Sequence, residues 1–155
     1  MNSKLMPLRR WWRIFVLVAA VLLVLGAWPM RYLASPGWEV WVVNDHRQPI
    51  PHINVRLTYQ NYSAEDRSHD LIQETNENGH ALFPARYERA NTFQYVFYTV
   101  SSARAGVHAD FGRHAYVFAS GGGYAGYALT GNDVADWQGS PDSMQSRIVV
   151  RHIQM

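Results

Sequence analysis

The chain has 155 residues, 48% of them hydrophobic and 14% aromatic, which is enough for one packed domain and argues against disorder. Its formal charge of +2 is unevenly spread: Lys4, Arg9, Arg10, Arg13 and Arg31 lie in an opening stretch without acids, and the other nine of the 14 basic residues face 12 acidic ones, a net of −3. With no lysine after Lys4 the body lacks the clustered positive surface that nucleic acid requires, and the absence of cysteine excludes disulfides, thiolate metal sites, thiol nucleophiles and lipid attachment through sulfur.

From Ile14 to Ala27 no side chain is charged or polar, and Trp11, Trp12, Trp28 and Tyr32 bracket the run. A bilayer-crossing helix needs about 20 mostly apolar residues with aromatics near the head groups, and residues 11–30 fit that description. Lys4, Arg9, Arg10 and Arg13 precede the run and Arg31 follows it. The excess of positive charge on the first side places the N-terminus in the cytoplasm and the rest of the chain outside, in the periplasm or at the cell surface. The expected organisation is a basic cytoplasmic tail over 1–10, a transmembrane signal-anchor helix over 11–30, a linker over 31–37 and an extracytoplasmic domain over 38–155. Two alternatives are a core helix and a cleaved signal peptide, with Leu25-Gly26-Ala27 as the cleavage site and Trp28-Pro29 an awkward sequence after it.

Beyond residue 37 the apolar pattern has period 2. Ile53, Val55, Leu57 and Tyr59 alternate with Asn54, Arg56, Thr58 and Gln60, as in a half-buried strand. Residues 38–43 and 93–100 are richer in β-branched and aromatic side chains and are expected to be strands covered on both faces. Asn78-Gly79 has the composition of a type I′ hairpin turn, joining a strand near 71–75 to one near 81–83. Gly121-Gly122-Gly123 reads as a flexible strand connection, 133–146 as a polar loop or single helical turn, and 147–153 as a last strand with Ile148 and Val150 on one face. The fold class expected is all-β: a single antiparallel β-sandwich of about seven strands, preceded by one N-terminal transmembrane helix.

Two segments carry a family resemblance. Val43-Asn44-Asp45-His46-Arg47-Gln48-Pro49-Ile50-Pro51-His52-Ile53-Asn54-Val55 and Thr75-Asn76-Glu77-Asn78-Gly79-His80-Ala81-Leu82-Phe83 follow the order strand, proline-bearing turn, alternating strand, then a Thr-to-Gly turn before Phe. In this the chain resembles the carboxypeptidase regulatory-like domain, a transthyretin-like β-sandwich, although Arg47 stands where that family usually has glycine. The resemblance implies a non-catalytic module for binding or assembly at the cell envelope, with an envelope protein or polysaccharide as partner.

Residues suited to chemistry are few. His108, Asp110 and His114 would share one face of a continuous strand, or the two histidines would approach across a hairpin turning at Phe111-Gly112, and imidazoles with a carboxylate could hold zinc with an open position, the basis of an alternative reading as a small metal-dependent hydrolase. His46, His52, His69, His80 and His152 read as surface or turn residues. The acidic pairs Glu65/Asp66 and Glu74/Glu77 read as solvated loop charges. Tyr95, Phe97, Tyr98, Tyr116, Tyr124 and Tyr127 are either sandwich core or, in a further alternative, the platform of a carbohydrate-binding module. The sequence therefore assigns no catalytic, cofactor-binding or metal residue and no cofactor.

Overall fold

A computed structural model describes residues 6–126 and 135–152, with side chains from residue 11 onward. The described chain is mostly β, with two helices. Helix α1 (Met6–Ala27) opens it. The helix ends where Trp28 N–H donates to the Leu25 carbonyl, and Pro29 then prevents its continuation. Met30 already belongs to strand β1 (Met30–Ser35), so the segment expected as a linker is a strand, and the helix stops short of residue 30. Among the described residues no helix is long and apolar enough to cross a membrane.

Strands β1 and β2 (Gly37–Val43) run almost continuously, and β5 (His80–Phe83) and β6 (Arg86–Ala90) run back beside them. Trp38 pairs with Phe83 and Leu33 with Tyr87. Pro36 and Pro84 fall between the two paired stretches, one on each arm. Neither can donate to the ladder, so the ribbon is interrupted there on both arms at once. Strand β10 (Ser143–Val149) adds to the other edge of β2 in parallel, with Ser143 opposite Gly37 and Val149 opposite Val43. The purely antiparallel arrangement expected is thus broken by this pair, which is not a hairpin: the strand before β10, Asp136–Trp137, belongs to the other sheet.

The second sheet runs β11 (Arg151–His152), β8 (Tyr124–Gly126), β7 (Arg113–Gly121), β3 (Asn54–Asn61) and β4 (His69–Glu74), with β9 (Asp136–Trp137) also on β7. The alternation expected of β3 holds at its start, where Val55 and Leu57 are buried and Asn54 and Arg56 exposed, but Thr58 is buried like Tyr59 and Gln60 is half-buried. Val55, Leu57 and Tyr59 meet Trp38, Val40, Val42, Phe83 and Ile148 from the first sheet and Val117, Ala119 and Trp137 from the second in one core. Complete burial of such side chains contributes roughly 1.5–3 kcal/mol each. Eleven strand segments occur among the described residues, several only two or three residues long, against the seven or so expected.

Two turns depart from expectation in an instructive way. Gly122 and Gly123, at φ 55 and 79, are the central pair of the hairpin joining β7 and β8, where Gly121 pairs with Tyr124. Positive φ at both centres is what a two-residue type I′ hairpin needs. Asn78-Gly79 does not make such a hairpin. Asn76 Oδ1 accepts from the N–H groups of Asn78 and His80, only Gly79 is left-handed (φ 68), and the chain passes from β4 in one sheet to β5 in the other. Gly79 sits so close to β2 that a Cβ there would lie 2.6 Å from the Val42 carbonyl oxygen. Between β2 and β3, Arg47 takes the left-handed region at φ 62, the conformation that glycine adopts without cost.

Candidate functional site

Residues 93–100, expected as a strand, form the middle of helix α2 (Thr92–Ala103). The cause lies just upstream. Asn91 is an N-cap whose Oδ1 accepts from the Gln94 N–H, while Gln94 Oε1 accepts from the Asn91 N–H, a reciprocal capping box. Once the helix starts, Phe93, Val96, Phe97 and Val100 fall at i, i+3, i+4 and i+7 on one face. Tyr95, Tyr98, Thr99 and Ser102 fall on the opposite face by the same spacing.

The two faces are used in the reverse of the ordinary sense. Tyr95, Tyr98, Thr99 and Ser102 are the half-buried side chains, while Phe93, Val96, Phe97 and Val100 are 48%, 58%, 65% and 51% exposed. Polar contacts hold the inner face: Asn61 Nδ2 donates to Tyr95 Oη at 3.2 Å, and Ser102 Oγ donates to the Tyr62 carbonyl at 3.0 Å. The Tyr95 ring also meets Tyr32 edge-on, at 6.2 Å between centroids. Burial of Tyr32 raises its phenol above the usual range, and the Glu65 carboxylate adds to that effect. Leaving the four outer side chains in water forgoes roughly 1–2 kcal/mol of burial each.

This apolar face adjoins a second one. On α1, Trp11, Trp12, Ile14, Phe15, Leu17, Leu22, Leu23 and Leu25 are exposed, so among the described side chains from Trp11 to Leu25 none is buried by the domain. Its C-terminal end meets α2 at Gly26, where a Cβ would come within 2.8 Å of the Phe93 ring. Trp28, Met30 and Tyr87 are exposed nearby along the chain, and the Arg31 guanidinium stacks over the Tyr87 ring at 4.1 Å. Arg89 and Arg104 flank α2, and no acid occurs between Glu88 and Asp110. Large contiguous apolar surface of this kind marks an interaction site.

A second, polar concavity of about 150 Å³ lies on the outer face of the β4-β3-β7 sheet, lined by Thr58, Tyr59, Gln60, Tyr62, Ser68, His114 and Tyr116. Thr58 pairs with Tyr116 and Gln60 with His114 across the strands, so these side chains project away from the core. The His114 ring meets Tyr62 edge-on at 5.3 Å, and its Nε2 lies 2.9 Å from the Phe111 carbonyl. On the opposite, core-facing side of the sheet His69 stacks on Tyr59, its cross-strand partner, and bonds Glu65 Oε2 at 2.7 Å.

The proposed zinc ligands do not form a shared strand face. His108 closes a 3₁₀ turn, Asp110 lies in the irregular segment after it, and only His114 is in β7. Among the described residues no group of three or more His, Asp or Glu side chains is arranged to hold a metal. The aromatic platform is likewise dispersed: Tyr95, Phe97 and Tyr98 are on α2, Tyr116 on β7 and Tyr124 on β8, none of them buried core, while Tyr127 lies outside the described residues.

One acidic pair is more than solvated charge. Glu74 Oε1 lies 2.5 Å from His52 Nδ1, and Glu77 Oε1 lies 3.2 Å from His52 Nε2. The Glu74 hydrogen bond first, and the Glu77 bond second, raise the His52 imidazole above its ordinary value. His52 itself is left-handed at φ 58. Its N–H donates to the Thr75 carbonyl, and the Thr75 hydroxyl bridges the Ile53 N–H and the Ile50 carbonyl.

The apolar outer face of α2 had a readable signal in the Asn91-to-Gln94 spacing followed by the 93/96/97/100 pattern. The groove had none, because Tyr62, Ser68 and His114 come together only through strand pairing. Comparison of the chain with protein-family models, with curated proteins and with solved structures finds no match.

Proposed function

We propose that the protein is a non-catalytic β-sandwich module held at a membrane by its N-terminal helix, with the domain extracytoplasmic and serving binding or assembly at the cell envelope. The observation that carries this reading is the exposure of α1, whose apolar side chains from Ile14 to Leu25 find no cover in the domain. The run from Ile14 to Ala27 is roughly 21 Å long at helical rise, shorter than a bilayer core of about 30 Å. The deficit is met at the ends: Trp11 and Trp12 on one side and Trp28 on the other suit the head-group region, and Arg13 reaches back to it. The basic residues before the helix favour a cytoplasmic N-terminus and a single pass. A sandwich of the carboxypeptidase regulatory-like kind is supported by two sheets sharing one core and by the left-handed Arg47 at that family's glycine position.

The test uses cells producing the full chain. Their membranes should retain it through alkaline extraction and release it to detergent, and protease added to spheroplasts, whose cytoplasmic membrane is sealed, should remove the domain. Release by alkali, or a domain protected from external protease, would overturn the anchor or its orientation respectively.

The groove over β3, β4 and β7 favours a polysaccharide partner over none, since Tyr62 and Tyr116 offer ring faces beside the hydroxyl and amide groups of Thr58, Ser68 and Gln60. Titration of the full chain in detergent with envelope oligosaccharides, with Tyr116→Ala in parallel, checks it. Identical, unsaturable responses in both proteins would remove the sugar reading.

A further inference from the structure

Resting on the anchor reading, we infer that α2 lies in the interface of the same bilayer that receives α1, so that the domain is pinned to the lipid at two places. Three observations converge on lipid as the occupant. First, α2 is built inside out: Tyr95 and Ser102 bond the domain while Phe93, Val96, Phe97 and Val100 face away from it. An interfacial helix presents this arrangement, its apolar face sunk among acyl chains and its other face turned to the protein. Second, the apolar face continues that of α1, because the Phe93 ring packs on Gly26 at the end of α1 nearest the domain. Whatever surrounds the end of α1 therefore reaches the start of α2. Third, the charged residues nearest the outer face of α2 along the chain are basic, while Glu65 and Glu88 act on Tyr32 beneath its inner face. Arg89 and Arg104 bracket α2, Arg31 stands beside Tyr87, and no acid falls between Glu88 and Asp110, as contact with anionic head groups favours.

The absence of cysteine allows a single labelled position without background. The full chain carrying Val96→Cys, and in parallel Phe97→Cys, is labelled with an environment-sensitive fluorophore and reconstituted into phosphatidylcholine–phosphatidylglycerol vesicles. Ile72→Cys on β4 gives a solvent control, since Ile72 is 59% exposed far from both helices in sequence, and Val21→Cys reports on α1. Labels at 96 and 97 should lose fluorescence to spin-labelled phospholipid and be spared by aqueous iodide, with the reverse at 72. Quenching at 96 and 97 by iodide, as at 72, would overturn the inference. So would resistance to both quenchers, which would mean that another protein surface or a second copy covers α2. Loss at 21 to spin-labelled lipid without loss at 96 and 97 removes the α2 contact alone, whereas no loss at 21 removes the anchor reading and with it the inference.

Discussion

The Phe93 ring rests on Gly26, so the two helices touch where one of them has no side chain. The close atoms are the far end of a rotatable ring, not backbone.

Gly26→Ala is therefore expected to swing the ring aside and leave the domain folded, since the added methyl improves helix propensity by about 1 kcal/mol. Gly26→Leu has no such escape and should part α1 from α2. Nuclear Overhauser contacts between position 26 and the Phe93 ring, measured in detergent micelles, would weaken in the first variant and vanish in the second. Their persistence in Gly26→Leu would show that the contact tolerates bulk.

Removing the N-cap tests what makes 92–103 a helix. Asn91→Ala deletes the acceptor for the Gln94 N–H and should cost about 1 kcal/mol, while Asn91→Asp or Asn91→Ser should retain most of it. Amide exchange in α2 should accelerate in Asn91→Ala and stay near native in the other two. Equal exchange in all three would mean that the tertiary contacts of Tyr95 and Ser102 hold the helix unaided.

A buried hydrogen bond crosses the first sheet. Trp38 Nε1 donates to Ser146 Oγ at 2.8 Å, with both residues essentially without solvent contact. Ser146→Ala leaves the indole N–H facing a methyl group, and the expected cost is about 1–3 kcal/mol by denaturant unfolding. A loss of only a few tenths would show that the indole finds another acceptor.

The His52 cluster should give a pH signature at one corner of the domain. Its folded imidazole titrates above the unfolded value of 6.5, chiefly through Glu74 and then Glu77. The protonated ring's contribution is then fully present below 6.5 and is lost as pH rises through the folded value. Chemical-shift titration should place the His52 midpoint above 6.5, and Glu74→Gln should lower it. A midpoint unmoved by Glu74→Gln would remove the carboxylate as the cause.

Strand β3 was legible because Val55, Leu57 and Tyr59 keep a period-2 apolar record in the sequence, even though Thr58 between them is buried as well. Helix α2 was misread because its aromatic and β-branched residues suit a strand as well, and density in them outweighed a cap four positions wide. The turn at Gly79 was legible as a turn, but local dihedral preference carries no information about which sheet receives the next strand; that depends on the fit of Gly79 against the Val42 carbonyl. Bringing 108, 110 and 114 together required a continuous strand or a hairpin turning at Phe111-Gly112, but His108 lies in a 3₁₀ turn and β7 begins only at Arg113, so neither forms. The groove depends on register between β3, β4 and β7, which lies in no single segment.

Only Trp28 and Pro29 separate the end of α1 from the first residue of β1, which is itself hydrogen-bonded into the ribbon with β6. If a bilayer holds α1, the domain has no leash: it works as a short lever whose attitude follows the tilt of the helix. A partner would have to approach to within the domain's own height of the lipid, and a pull on that partner would pass to α1 through β1 and its ribbon with β6, with the paired interruptions at Pro36 and Pro84.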